Sequence, residues 1–423
     1  MKARYRYRVY PTETQKTALA QLFGCCRRVW NDALAFCQES YSRGEKYVGE
    51  SELQKRFITQ AKKTENRAWL KEVSNIPLQQ SIQDLGQAFS NFFNSVKGIR
   101  KGKKVRLPRF KKLSSNQSAR FRIGGFKVGQ HNVYLAKIGK LKIKWSRLLP
   151  SSPSSVTVIK DSADRYFLSF VVEINPTLLT NNNQSVGIDL GIADFAILST
   201  GEKVKSPKPL KKRFKRLRKL QRSLSRKQKG AFRTAACDLD LKSKSVGASN
   251  RREVAKKKVA KLHAKIKNIR TDFLHKLSTK IIRENQTIAL EDLAVSNLVK
   301  NRKLSRAISD LGWRSFRTML EAKSLMYGRD FRVIDRWEPT SQRCSCCGEI
   351  GGKKALNIRE WTCLFCGAEH DRDINASKNI LNIVAVGHTE TLNGRGGDVR
   401  LLLKVAIPCE ASTTPKYKQL SLF

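Results

Sequence analysis

The spacing of hydrophobic and polar positions changes several times along the chain, and each change predicts a different element. The opening MKARYRYRVY alternates polar and apolar residues as far as Pro11, which predicts a strand. Apolar residues then recur at helical intervals in two runs, FGCCRRVWNDALAF and IPLQQSIQDLGQAFSNFFNSVKGIR. Stripes of this kind predict amphipathic helices that each bury one face in a core.

After these two runs, the spacing of the apolar residues becomes shorter. The segments RLPRFKK, FRIGGFKV, NVYLAKIGKLKIKW, SSVTVIKD and YFLSFVVEI are short, often alternating, and separated by Gly, Pro, Asn and Ser, which is typical of β structure. Residues 1–180 are therefore predicted to form a β-barrel that is interrupted by a helical bundle. The polar stretch NPTLLTNNNQS, residues 175–185, indicates a linker to a second region.

The pattern of apolar and polar residues in the second region predicts both strands and helices. SVGIDLGIADFAILSTGEKV gives two strands, and QTIALEDL and RDFRVIDRW give two more. Residues 207–229 hold 12 basic residues and no acid, and together with the helix that begins near Ser249 they predict a long basic helical hairpin. WRSFRTMLEAKSLMYG and INASKNILNIVAVG predict two further helices.

The charge balance indicates the class of partner. The chain carries 84 Lys and Arg against 35 Asp and Glu, a formal net charge of +49 that is spread from end to end. Such a surplus favours nucleic acid, because each neutralised phosphate releases counterions and the gain adds over many contacts. The sequence shows neither an apolar run of membrane-spanning length nor a secretory signal, so we expect an intracellular protein with no membrane partner.

Four of the ten cysteines form two pairs with metal-ligand spacing: Cys344 and Cys347, then, after fifteen residues, Cys363 and Cys366. Two such pairs can supply four thiolates to one tetrahedral zinc ion, and four protein ligands leave no position for substrate, so we predict a structural zinc. Cys346 offers a further thiol and His370 a substitute ligand, although neither fits the spacing as well. The chemistry must therefore come from other residues.

Three acidic positions stand out by their setting. Asp189 lies in the apolar stretch VGIDLG, Glu291 ends the apolar stretch TIALE, and Asp373 precedes a predicted helix. A charge in such a place is unfavourable unless it binds something. Three converging carboxylates would hold two divalent ions about 4 Å apart, the arrangement for phosphodiester hydrolysis, with magnesium or manganese as the metal. Asp292 and Asp371 stay open as alternatives to their neighbours.

The order of these elements is the one expected of an RNase H-like nuclease fold, and the motifs together resemble a known family. GIDLG, ALEDL, the two cysteine pairs and DRDINASKNI, in that order, are similar to the nuclease module of TnpB (OrfB transposase-like) proteins, relatives of the type V CRISPR effectors. YRVYPTETQ, FGCCRRVWNDALAF, LPRFKK and GHTETLNGRGGDVR also resemble that family.

The resemblance implies a multidomain α/β protein. Its parts would be an N-terminal β-barrel with a helical insert at 1–180, an RNase H-like (RuvC-type) nuclease domain at 185–335 and 371–386, a zinc ribbon inserted at 336–370, and an irregular, partly disordered tail at 387–423. It also implies that Asp189, Glu291 and Asp373 are the catalytic acids and bind two magnesium ions, with Asp371 as the substitute for Asp373.

The function implied is that of an RNA-guided DNA endonuclease encoded by a transposable element. Its partners would be a guide RNA from the element end and a double-stranded DNA target, which it would cut next to a short motif read by the N-terminal half. The setting would be the prokaryotic cytoplasm, with the protein on the nucleoid when bound to DNA; the oligomeric state stays open. The alternatives are a transposase that acts directly on element ends and a non-catalytic zinc-dependent regulator that binds nucleic acid.

Overall fold

The computed structural model describes residues 1–100, 102–114, 116–227, 249–355 and 357–393, with side chains as far as 385. The first part of the predicted irregular tail, residues 387–393, is helical instead, and the rest of the tail lies outside the described residues. The chain divides into two compact units, one at Met1–Ile174 and one that begins at Asn175. The domain boundaries given above remain a prediction.

The first unit is built on a sheet of seven antiparallel strands. They are β1 (Lys2–Tyr10), β2 (Gln117–Arg122), β3 (Phe126–Val128), β4 (Asn132–Leu135), β5 (Gly139–Lys144), β6 (Ser155–Lys160) and β7 (Tyr166–Glu173). Alternation produces the buried face, since Ala3, Tyr7 and Val9 of β1 are each 1% exposed. As predicted, β1 ends at the residue before Pro11.

A closed barrel is not found among the described residues of this sheet. The strand order is β2-β6-β7-β1-β5-β4-β3, so β2 and β3 stand at opposite edges of an open sheet. The predicted strand at RLPRFKK is wrong, because side chains of a helix bind its backbone where a neighbouring strand would. Asn31 accepts from the backbone N–H of Lys111 at 2.8 Å and donates to its carbonyl at 3.0 Å.

Helices lie between β1 and β2. They are α1 (Glu13–Ser42), α2 (Glu50–Gln54), a π-helical turn (Lys55–Gln60), two 3₁₀ turns (Ala61–Lys63 and Glu65–Glu72) and α3 (Asn75–Val96). Thr12 and Gln15 form a capping box that fixes the start of α1. The buried Ser81 hydroxyl of α3 donates to the carbonyl of Cys26 at 2.9 Å, which ties α3 to α1.

The second unit combines a five-stranded sheet with helices on both faces. Its strands are β8 (Ser185–Asp189), β9 (Ala196–Leu198), β10 (Lys203–Val204), β11 (Thr287–Glu291) and β12 (Asp330–Ile334). Its helices are α4 (Pro209–Ser225), α5 (Asn250–Glu284), α6 (Val295–Leu298), α7 (Ser305–Leu311), α8 (Trp313–Tyr327) and α9 (Arg372–Asn393). Before α9 lies a small hairpin of β13 (Glu360–Thr362) and β14 (Glu369–Asp371).

The strand order of the large sheet is β10-β9-β8-β11-β12. β11 runs parallel to both β8 and β12, whereas β9 and β10 return antiparallel as a meander. One face packs on α5, α7 and α8 through a large apolar core that includes Val186, Ile188 and Phe316. The other face packs on α9 through a smaller cluster of Ala289, Ile334 and Ile380. This is the α/β architecture predicted for the nuclease region.

The basic hairpin also forms as predicted. Leu217 of α4 packs on Leu262 and Ile266 of α5 in a separate apolar seam, and the basic residues face outward. The buried Asp310 of α7 accepts from the first backbone N–H groups of α4, those of Leu210 and Lys211, at 3.0 and 3.1 Å. None of the described helices is both long and apolar enough to cross a membrane.

Candidate active site and zinc ribbon

Two of the predicted acids end neighbouring parallel strands. β8 and β11 pair in register, with Ile188 opposite Leu290, so Asp189 and Glu291 follow side by side at the same edge of the sheet. Side chains alternate between the two faces of a strand, and Ile188 and Leu290 both belong to the core under α5 and α8. Asp189 and Glu291 therefore point to the opposite face, which is the face that α9 covers.

The third acid lies at the start of α9, which approaches the sheet very closely. At Gly187, a Cβ atom would stand only 2.0 Å from the carbonyl oxygen of Ser377, so a residue larger than glycine would push the helix away. Ser377 is fully buried, and its hydroxyl donates to the carbonyl of Ile374 at 2.8 Å, which satisfies it within the helix. Asp373 occupies the first turn of this helix.

The charges of the other two acids act on Asp189. Burial raises the pKa of Asp189 to about 7, and the negative charges of Glu291 and Asp373 contribute to the same rise. Burial also raises the pKa of Glu291, with a further rise from Asp292. Grouped acids with raised pKa values are typical of functional sites, because the protein maintains a repulsion that a bound cation would relieve.

Asp292, the alternative to Glu291, has a different environment. Arg317 and Arg336 each donate to one of its carboxylate oxygens. Burial raises the pKa of Asp292, but these hydrogen bonds and charges lower it by more, so that it lies below its ordinary value. Its charge is already balanced by two guanidinium groups, and this makes it a structural partner more than a free ligand.

Asp371, the alternative to Asp373, is also engaged. One carboxylate oxygen accepts from the backbone N–H groups of Asp373 and Ile374, both at 3.0 Å, and so caps α9. The other oxygen forms an ion pair with Lys203 of β10 at 2.5 Å. Burial raises the pKa of Asp371, but Lys203 and the backbone donors lower it by more.

The three acids do not yet form a closed ligand set. Among the described residues, the donor groups that meet within 4.8 Å of one another are cysteines and a histidine, not these carboxylates. Asp373 instead accepts from Arg359, whose guanidinium lies 3.3 and 3.4 Å from its two oxygens. The structure thus brings the predicted acids to one face of the sheet, and their catalytic role stays a prediction.

The four predicted zinc ligands do meet. The Sγ atoms of the two cysteine pairs lie within 4.8 Å of one another: Cys344, Cys347, Cys363 and Cys366. Two of the edges, Cys344 to Cys366 and Cys347 to Cys363, measure 3.7 Å. A tetrahedron with Zn–S bonds of about 2.3 Å has edges of about 3.8 Å, so the four sulfurs fit zinc.

The two cysteine pairs sit on turns with the same geometry. The N–H of Gly348 donates to the carbonyl of Cys344 at 3.0 Å, and the N–H of Gly367 donates to that of Cys363 at 2.9 Å. Both glycines have positive φ, 82° and 71°, which a side chain would strain. Each turn closes with its own backbone hydrogen bond and directs its pair of thiols to a common point.

His370 lies beside the cysteines as a neighbour of the set. It is buried, packs against Trp361 with ring centroids 4.8 Å apart, and places Nε2 3.0 Å from the sulfur of Cys344. That distance is shorter than the edge between two ligands of one zinc ion and fits an N–H group that donates to a thiolate. Cys346 is exposed and, with Cys344 and His370, belongs to a second possible donor group.

Sequence reasoning missed the residues that join the zinc ribbon to α9. Asn375 accepts from the N–H of Ser345 at 2.8 Å and donates to the carbonyl of Arg343 at 2.7 Å. Asn379, one turn later, donates to the carbonyls of Thr340 and Arg343 at 2.8 and 2.7 Å. Both side chains are 1% exposed. Their spacing of four residues on one helix face was the available signal, but it does not reveal the partner.

Comparison with known proteins gives three family matches along the chain. Residues 169–302 match a family described as "OrfB_IS605: Probable transposase", and residues 313–380 match one described as "Cas12f1-like, TNB domain". Residues 1–46 match a family described as a helix-turn-helix domain. In this structure that last stretch is a strand and one unbroken helix, β1 and α1.

Two curated relatives are similar over nearly their whole length. One, from Streptomyces pristinaespiralis, is named "Putative RNA-guided DNA endonuclease" and is 44% identical over 90% of this chain and 89% of its own. The other, InsQ from Escherichia coli K12, has the same description and is 32% identical over 91% of this chain and 92% of its own.

A solved structure has a similar fold. It is the cryo-EM structure of a Cas12f1–sgRNA–target DNA complex, which aligns with a TM-score of 0.52 at 14% identity and covers 87% of this chain and 83% of the other. At this identity the likeness concerns the fold, which is that of a Cas12-type effector with a RuvC-type nuclease region.

Proposed function

We propose that this chain, which belongs to the TnpB (OrfB) family of RNA-guided DNA endonucleases, hydrolyses phosphodiester bonds with three acids. These acids are Asp189, Glu291 and Asp373. The observation that supports this most is the raised pKa of Asp189, which results from its burial and from the charges of Glu291 and Asp373. Carboxylates that are grouped in this way on one face of the sheet are suited to binding divalent cations.

Magnesium fits this donor set, because it prefers carboxylate oxygens and retains water molecules; a pair of such ions would supply the nucleophile and stabilise the leaving oxygen. The chain contributes the positions of the acids. Asp189 is placed by β8, Glu291 by β11, and Asp373 by the first turn of α9. Burial and the neighbouring charges favour the protonated form of Asp189 in the metal-free protein, whereas a bound cation would favour the ionised carboxylate.

The zinc ribbon orients the third acid. β14 leads directly into α9, and the N–H of Arg372 donates to the carbonyl of Arg359 at 2.7 Å. The buried Asn375 then holds the backbone of the first cysteine turn. We assign zinc the role of keeping this loop folded, so that Asp373 has a fixed position relative to β8 and β11.

The partners follow from the relatives. Those proteins are described as RNA-guided, and the similar solved structure contains RNA and target DNA, so we assign this chain a guide RNA from the element end and a double-stranded DNA target. The net charge of +49 suits binding of a long RNA–DNA duplex through its backbone. The N-terminal unit is assigned to reading the motif next to the target.

The test is co-expression of the protein with its flanking element DNA, followed by sequencing of bound RNA and a challenge with a randomised target library. We expect cutting that is programmed by the RNA, requires magnesium and disappears in Asp189→Ala. Asp373→Asn should lose cleavage, whereas Asp371→Asn, its matched control, keeps an oxygen that can cap α9, loses the ion pair with Lys203 and should retain cleavage.

The second candidate is a transposase that acts directly on element ends, which the family description "Probable transposase" favours. Cutting or joining confined to element ends, with no copurified RNA, would support it against guided cleavage. Binding that is unchanged by Asp189→Ala, without any cutting, would instead support a regulator.

A further inference from the structure

A row of side chains crosses the large sheet at the level of Asp189. Asp189 of β8 lies opposite Ile197 of β9, and Ile197 lies opposite Lys203 of β10. Residues that lie opposite each other on antiparallel strands project to the same side of the sheet. Lys203 therefore projects to the face that α9 covers, two strand spacings or about 10 Å along the row from Asp189.

Lys203 contacts the beginning of α9 through Asp371. Its ammonium group donates to one carboxylate oxygen of Asp371 at 2.5 Å, and the other oxygen accepts from the backbone N–H groups of Asp373 and Ile374 at 3.0 Å. The same carboxylate thus binds a side chain of the sheet and the first turn of the helix. A movement of Lys203 would reach the backbone of Asp373 through this one residue.

The first turn of α9 has contacts in two directions. Hydrogen bonds of Arg372 and Asn375 attach it to the zinc ribbon, whereas the ion pair of Lys203 attaches it to β10, an edge strand of the large sheet. Ser377 also packs closely on the sheet, but it lies one helical turn beyond Asp373. Lys203 therefore connects the sheet to the turn that carries Asp373 itself.

We propose that Lys203 is a positioning residue of the nuclease site, which holds the first turn of α9 so that Asp373 shares divalent cations with the other two acids. This inference rests on the proposed function, since the role requires that those acids bind magnesium. The side chains of Lys203 and Asp371 are 38% and 26% exposed, so solvent screens the pair only in part. Because two N–H groups already orient the carboxylate, the ion pair orders one flexible side chain instead of two.

A neighbouring ion pair provides a matched control. Glu202 directly precedes Lys203, and its two carboxylate oxygens accept from Lys280 of α5 at 2.8 Å. The side chains of Lys280 and Glu202 are 44% and 45% exposed. Since α5 packs on the opposite face of the sheet, this pair belongs to the same edge but does not reach α9. Lys280→Met therefore removes an ion pair of similar exposure without altering the nuclease face.

The first test measures single-turnover cleavage by the full-length protein with its guide RNA across a magnesium titration. Lys203→Met should raise the magnesium concentration for half-maximal cleavage by about 10-fold, the lower end for residues that support a metal ligand. The rate at saturating magnesium should stay that of the parent. Lys203→Arg, which keeps the charge, should recover most of the loss, and Lys280→Met should not change the magnesium requirement.

Asp371→Asn separates positioning from a direct contact with substrate. It should raise the magnesium requirement as much as Lys203→Met does, and the double variant should be no worse than either single one, because both changes remove the same contact. If Lys203→Met lost cleavage at saturating magnesium while Asp371→Asn kept the parent's magnesium requirement, the lysine would act on the substrate and the proposal would be overturned.

The second test uses the metal-free protein and does not depend on cleavage. Hydrogen–deuterium exchange in the peptide that covers residues 371–375 should be faster in Lys203→Met by about 2-fold to 5-fold, and unchanged in Lys280→Met. Unchanged exchange in Lys203→Met would overturn the role of this lysine. Faster exchange in a protein that shows no guided cleavage would support the contact but count against the proposed function, so the two failures are distinct.

Discussion

The zinc ribbon and Asp373 are neighbours in the chain, but the two candidate metal sites are built in opposite ways. Each cysteine turn closes with a backbone hydrogen bond of its own, and the sulfurs already have the separation of a zinc tetrahedron. The acids come from three elements, repel one another and do not form a closed set within 4.8 Å. A structural site is thus specified locally, whereas the carboxylate site is assembled by the fold at an electrostatic cost that bound cations would offset.

Loss of a zinc ligand should have the largest effect, because structural zinc in small domains contributes apparent binding energies of about 10–16 kcal/mol. We expect Cys363→Ser to lose zinc and to become sensitive to protease between residues 336 and 371, while the five-stranded sheet stays folded. The measurements are zinc content and limited proteolysis.

Cys346→Ser is the matched control, since this exposed thiol lies outside the set of four. It should retain one zinc per chain. If Cys346→Ser lost zinc and Cys363→Ser kept it, the second donor group would be the true site and the contrast drawn above would be wrong.

The second-largest effect should come from the loss of one of the three acids. Substitution of a residue that only supports a metal ligand typically reduces activity by about 10-fold to 100-fold. Glu291→Gln should reduce cleavage by more than this, with nucleic-acid binding intact. Asp292→Asn should lower the melting temperature, because it leaves Arg317 and Arg336 without their carboxylate, and should retain most cleavage. The comparison uses single-turnover cleavage and thermal unfolding, and equal losses of cleavage in both variants would contradict it.

His370 tests how far the zinc site depends on its surroundings. His370→Ala should weaken zinc affinity by about 10-fold to 100-fold, because the thiolate of Cys344 loses a donor. His370→Gln, which keeps an N–H donor, should recover part of the loss. Competition with a chromophoric chelator measures both, and a complete loss of zinc in His370→Ala would make this residue a ligand.

The smallest effect concerns the raised pKa of Asp189, which burial and the neighbouring acids produce. The pKa of Asp189 is raised to about 7 in the folded protein, so its ionisation destabilises the metal-free fold increasingly as pH rises from about 4 to 7. Asp189→Asn should therefore raise the melting temperature by several degrees at pH 8 and by less at pH 5. An equal change at both pH values would mean that the pKa of Asp189 is not raised in the folded protein.

Much of this protein can be predicted from short-range patterns. Three features depend only on residues a few positions apart: the alternation of β1, the apolar stripes of α1 and the basic hairpin, and the spacing within each cysteine pair. The predicted strand at RLPRFKK failed because its backbone partner is the side chain of Asn31, 80 residues earlier. The prediction of a closed barrel failed because closure depends on which strands pair at the edges of the sheet. Local alternation along a strand contains no information on its pairing partners.

The sequence by itself determined the zinc ribbon, because both of its turns close within a few residues, and it identified the acids as charges in apolar surroundings. Only the tertiary structure showed which groups engage Asp292 and Asp371, the alternatives that the sequence left open. Asp292 lies between two arginines and Asp371 caps α9, and neither partner set can be read from neighbouring residues. The physical reason is that a carboxylate's role depends on which charges and N–H groups the fold brings within a few ångströms of it.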